Sequence, residues 1–172
     1  MALDANSTVW TFRSWGWPVR LVSPSLDCSS PVTTPIQAEC GPWYCAGLTM
    51  SGDAYAWWTN LGAFDDQYWK TYKTTTILVP DHDTMIPCQT RELRVDPTKL
   101  PALPDLPDLS ATGLSEEERR KETRLIKIAA CYNYLIGLTN KGHVLKLDGF
   151  GMEDRTRIWH YVSKNVCSGA IL

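Results

Sequence analysis

The sequence predicts an all-β chain assembled from repeated hairpin units, interrupted by a Pro-rich insert and one short helix. Three observations carry that expectation: a high aromatic content, a hairpin-like segment recurring at multiples of 45 residues, and a run of prolines between two of the copies. Eight Trp, seven Tyr and three Phe in 172 residues favour pleated, half-buried surfaces over helices. A chain of this length can bury roughly 70% of its unfolded surface, enough for a real core.

The repeat is read first, because it sets the architecture. Ile36 to Trp58 aligns without a gap onto Ile126 to Asp148 at an offset of 90 (126 minus 36). Ile36, Tyr44, Gly47, Leu48, Thr49 and Gly52 coincide with Ile126, Tyr134, Gly137, Leu138, Thr139 and Gly142. A shorter copy opens the chain, where Ala2 to Phe12 lies over Gly47 to Trp57 at an offset of 45, with Leu3 over Leu48 and Trp10 over Tyr55. Each copy is an apolar run, a short polar turn and a second apolar or aromatic run, which is the pattern of a β-hairpin. Gly52 and Gly142 end two of the turns and can take positive φ, while Asn6 and Ser7 fill the equivalent place in the first copy. A spacing of 45 residues fits the roughly 40 to 50 residue period of propeller blades. The expected fold is therefore a partial β-propeller, an incomplete ring, in one domain over residues 1–172.

Within that domain, residues 1–58 read as the first blade units and 125–150 as a further hairpin unit. Residues 96–124 read as an insert in one blade: a Pro-rich arm followed by a charged helix. Pro97, Pro101, Pro104 and Pro107 favour an extended, polyproline-like path from Pro97 to Ser110 without ladder hydrogen bonds. Ser115 to Glu118 form a capping box, which starts a helix running to about Arg124.

Charge and composition exclude several classes. Seventeen Lys and Arg against nineteen Asp and Glu give a net charge of −2, so direct nucleic-acid binding is not expected. No stretch has eighteen consecutive apolar residues, and the opening segment carries Asp4, so neither a membrane span nor a signal peptide is predicted. Cys28, Cys40, Cys45, Cys88, Cys131 and Cys167 lack the spacing of a zinc ribbon or a disulfide framework, which suits reduced thiols and a cytoplasmic or nuclear location.

Glu39-Cys40-Gly41, Leu48-Thr49, Gly52 and Tyr55-Ala56-Trp57 together resemble the repeat of the regulator of chromosome condensation family. In the later copy Ala130-Cys131 replaces Cys40-Gly41, Leu147 replaces Trp57, and the closing glycine shifts to Gly149. With Trp10 to Gly16 and the Pro-rich insert, the texture is similar to F-box-containing propellers of the SCF-associated factor type, although no F-box stretch precedes the first copy. The resemblance implies a protein-binding scaffold, in one reading the substrate-holding part of an SCF-type ubiquitin-ligase adaptor. The alternative it implies is guanine-nucleotide exchange on a small GTPase. The partner is then a ubiquitin-ligase substrate or a GTPase.

No catalytic, cofactor-binding or metal-binding residue is assigned. Asp81-His82-Asp83 follows an apolar run and Pro80, and reads as a turn rather than an acid/base site, because adjacent side chains in an extended loop diverge. Cys40 and Cys45, with Cys28 or His82, have the donor types for zinc but not its usual spacing, and read as small apolar residues of a β-core. Of Trp57-Trp58 and of Trp15-Gly16-Trp17, at most one residue in each adjacent pair faces a core. The charged segment Glu116 to Arg124 is a solvated face or a docking element, and the Pro-rich arm with that segment is the first candidate for a partner contact. No phosphate-binding or dinucleotide glycine pattern is present in the sequence.

Overall fold

Three turns with the same backbone bonding organise the chain. In the computed structural model, the N–H of Asp4 donates to Thr8 O (3.1 Å), that of Thr49 to Asp53 O (2.9 Å), and that of Thr139 to His143 O (2.9 Å). Inside them Ser7, Gly52 and Gly142 donate to the carbonyls of Asp4, Thr49 and Thr139, and adopt φ of 58°, 94° and 83°. A three-residue loop ending in a left-handed residue matches the twist of antiparallel strands, which is why glycine holds two of these places. Offsets of 45 and 90 therefore describe hydrogen bonds as well as letters. The structure describes residues 1–12, 18–58, 73–81, 84–106, 115, 117, 122–150 and 157–162.

The turns join strands of three sheets. The first contains β1 (Ala2–Leu3), β2 (Val9–Phe12) and β3 (Pro18–Val22), extended by the hairpin β7 (Lys73–Asp81) and β8 (Thr84–Arg94) in the order β1-β2-β3-β8-β7. The second runs β4 (Pro35–Cys40), β5 (Tyr44–Thr49), β6 (Ala54–Trp58) and β9 (Thr98–Lys99). The third runs β10 (Leu125–Ala130), β11 (Tyr134–Thr139), β12 (Val144–Asp148) and β13 (Trp159–Tyr161). Both four-stranded sheets are antiparallel throughout and have the strand number of a propeller blade; the third is a meander of consecutive strands, whereas the second takes β9 as its fourth strand after the β7–β8 hairpin. The fold is all-β, an open set of blades.

The sheets stack, and the middle one is buried on both sides. Tyr44, Ala46, Leu48, Ala54 and Ala56 share a core with Ile128, Leu135, Leu145, Leu147, Phe150 and Trp159 of the third sheet or its edge. Their strand neighbours Cys45, Tyr55 and Trp57 point the other way, into a core with Val9, Leu21 and Leu26. Hence all of β5 is buried, whereas β11 alternates between buried and half-buried positions. The same difference shows in the next pair of counterpart strands: β6 (Ala54–Trp58) carries no charged residue, while β12 carries Lys146 and Asp148.

Three expectations need correction. Thr98 and Lys99 do carry ladder pairing, opposite Ala56 and Tyr55, so the start of the Pro-rich arm is the fourth strand of the middle sheet. The stretch that departs from the repeat precedes it, between β6 and β9, where the β7–β8 hairpin leaves to join β3 in parallel. Cys40 and Cys45 are not reduced thiols but form a disulfide. Gly41 N donates to Tyr44 O and closes the hairpin, which makes Cys40 and Cys45 the adjacent, closely spaced pair with Cα atoms 4.2 Å apart. The charged helix expected from Ser115 lies almost wholly outside the described residues; Glu117 is helical, and Glu122 to Arg124 are not.

Candidate protein-binding edge

At the end of the sheets away from the three turns, the β4–β5 and β10–β11 hairpin tips meet. Tyr44 locks them together. Its hydroxyl donates to the carbonyl of Tyr134 (2.6 Å) and accepts from the N–H of Cys131 (3.3 Å), while its ring stacks on Phe150 at 4.0 Å. Burial pushes this hydroxyl up to about 12, so it stays a donor at any physiological pH. Gln37 makes a second lock, donating to Ile128 O (2.6 Å) and accepting from Ile128 N (2.9 Å) through one amide. Gly41 lets the tips close, because a Cβ there would stand 2.5 Å from the Cys131 carbonyl oxygen.

This bracing presents aromatic surface outward. Trp43 is 47% and Tyr132 62% exposed, and their rings meet edge to face at 6.3 Å and 84°. Trp58, which shares the Phe150 ring with Tyr44, is 36% exposed, donates through its indole N–H to Phe150 O (3.3 Å), and carries the Arg157 guanidinium 4.5 Å above its ring. Desolvation lowers the Arg157 pKa, yet the cation rests against π-faces. Trp, Tyr and Arg are the side chains that concentrate binding energy at protein interfaces, and rigid hairpin tips present them with little ordering cost.

The candidates named from sequence are scattered. Asp81 pairs with Thr84 at the end of the β7–β8 hairpin, and His82 and Asp83 lie outside the described residues. Cys28 is exposed and donates to the Asn6 carbonyl (2.8 Å), apart from the Cys40–Cys45 disulfide. Trp57 is buried and Trp58 exposed, as strand alternation requires, while Trp15 to Trp17 lie outside the described residues. Leu100, Leu103 and Leu106 of the Pro-rich arm pack onto the shared core, so the arm belongs to the fold as well as to the surface. Sequence reasoning missed Trp43 and Tyr132. Their signal was an aromatic residue in the tight turn of each long copy, where no core demands one.

At the opposite end of the sheets an open groove of 790 Å³ runs between the Gly52 turn, the arm and Asn140. Its charges are largely paired: Lys99 meets Asp53 at 2.8 Å, a bond that raises the lysine pKa, and Arg124 reaches the Met50 carbonyl at 3.4 Å. Among the described residues no group of three or more His, Cys, Asp or Glu could hold a metal ion, and no helix is long and apolar enough to cross a membrane.

No protein-family model and no curated protein matches the chain. Among solved structures, that of human WBSCR16 is similar with a TM-score of 0.42 and 20% sequence identity, over 85% of this chain and 29% of that one. This chain thus spans under a third of that protein's length.

Proposed function

We propose that this chain is a protein-binding repeat scaffold of the regulator of chromosome condensation type, and that it takes its partner on the edge formed by Trp43, Tyr132 and Trp58. The observation that carries the reading is the Trp43–Tyr132 pair, two large exposed aromatics in mutual contact on hairpin tips braced by Tyr44 and Gln37. Contiguous exposed aromatics rimmed by polar residues are the kind of surface patch that marks a protein-interaction site. The scaffold itself catalyses no reaction, and it works in the cytoplasm or nucleus.

The test is a crosslinking pull-down with the purified chain and with a Trp43→Ser/Tyr132→Ser variant, both verified by near-ultraviolet circular dichroism. Loss of a partner set from the folded variant supports the reading, and an unchanged set removes this edge from it. The finer reading, the substrate-holding part of an SCF-type ubiquitin-ligase adaptor, rests on the resemblance of the repeat and its Pro-rich insert. It requires that captured partners be ubiquitylated when the protein is joined to the ligase. Nucleotide release from a panel of small GTPases would instead replace it with guanine-nucleotide exchange.

A further inference from the structure

From residue 97 to residue 106 burial repeats every three residues. Pro97 and Leu100 are buried and Leu103 and Leu106 half-buried, whereas Thr98, Lys99, Pro101, Ala102, Pro104 and Asp105 are exposed. Three residues per turn is the period of the polyproline II helix, and the triplets Leu100-Pro101-Ala102 and Leu103-Pro104-Asp105 are written in that period. One edge of this extended arm is fastened to the body. Leu100 N donates to Ala54 O (2.8 Å), the Trp159 indole N–H donates to Pro101 O (2.9 Å), and the leucines enter the core shared by the second and third sheets. The two remaining edges face solvent, Pro101 and Pro104 on one and Ala102 and Asp105 on the other.

We infer that this arm is itself a ligand: its exposed Pro101–Pro104 edge docks into the aromatic-lined groove of a polyproline-reading domain on a partner protein. Such domains recognise two prolines three residues apart on a preformed left-handed helix, using flat aromatic walls against the pyrrolidine rings and donors to the unpaired backbone carbonyls. A free Pro-rich tail must still give up conformational freedom on binding. Here the leucine edge has ordered the helix in advance, which lowers that cost. The adjacent charges favour a groove flanked by a basic side chain, since Asp105 is exposed and the neighbouring Lys99 is neutralised by Asp53 at 2.8 Å. The open groove beside Pro101 and Ala102 leaves room for the rim of such a domain.

Titrating the whole purified chain with purified SH3, WW and EVH1 domains by calorimetry tests this. The expected result is saturable binding to at least one class, displaced by a free proline-rich peptide that fills its groove, and weakened at least about tenfold by Pro101→Ser/Pro104→Ser. If the double variant loses its cooperative melt, peptide displacement from the wild-type complex decides alone. No binding by any class, or binding indifferent to the peptide, overturns the inference. The arm leaves β9 beside Ala54, at the other end of β6 from Trp58, so a negative result here leaves partner capture at the Trp43 edge standing.

Discussion

Single residues carry more of this architecture than their size suggests. Gly142 holds φ of 83° in the last of the three equivalent turns, and a β-branched side chain resists that region. Gly142→Val is therefore expected to lower stability by about 1–2 kcal/mol, whereas Thr98→Val on the exposed face of β9 changes it by less than about 0.5 kcal/mol, both read from denaturant midpoints. Tyr44→Phe keeps the stacked ring but removes the hydroxyl that bridges Cys131 and Tyr134, whose own N–H···O bond of 3.0 Å remains, for an expected loss of about 0.5–1.5 kcal/mol. The first turn is pH-dependent. Burial of Asp4 raises its carboxyl pKa, but hydrogen bonds from the Trp10 indole and from the backbone of Thr8 and Asn6 outweigh this and hold it below its ordinary 3.8. Its contribution is thus complete above about pH 4 and disappears as pH falls through the lower folded value. The stability gap between wild type and Asp4→Ala, measured by urea unfolding at several pH values, should close on acidification.

Among the elements, the β4–β5 hairpin differs most from expectation. Its closing bond between Gly41 and Tyr44 puts Cys40 and Cys45 into the closely spaced antiparallel pair, where a disulfide can form. Alkylation of the unreduced native protein should label exposed Cys28 and spare Cys40 and Cys45, with all three labelled after reduction and unfolding, as read by peptide mass. Modification of Cys40 or Cys45 without reductant would show that the pair is open. The Pro-rich arm also changes character at this scale. Proline density does predict its extended path, but Thr98 and Lys99 complete the second sheet and its leucines seal the core. Deleting it therefore removes structure, and only substitutions on its outer edge separate folding from binding.

At the scale of the molecule, the stack repeats one interface but does not complete it among the described residues. Tyr44, Ala46, Leu48 and Ala54 of the second sheet are buried under the third, while their counterparts 90 residues on, Tyr134, Ile136, Leu138 and Val144, are half-buried or exposed. Val144 is 39% exposed, and among the described residues β10 and β13 are the outer strands of their sheet. Uncovered apolar faces and open sheet edges drive association. The chain is expected to self-associate as concentration rises, and Val144→Lys to suppress this in multi-angle light scattering. A wild-type chain that stays strictly monomeric would contradict it.

Sequence alone determined what depends on local chemistry. The three turns, their glycine or left-handed positions, the strand alternation at Trp57 and Trp58 and the all-β class were legible because backbone geometry and period-two patterning act over a few residues. Pairing between distant segments was not, since nothing local in Thr98-Lys99 marks it as a strand and nothing in β7–β8 names β3 as its neighbour. The aromatic edge belongs to the same class. Trp43 and Tyr132 lie 89 positions apart (132 minus 43), and only the packing of two sheets through Tyr44, Gln37 and the missing Cβ of Gly41 makes them one surface. Side-chain types and turns are written along the chain, whereas a site assembled across sheets exists only once burial has chosen which faces meet.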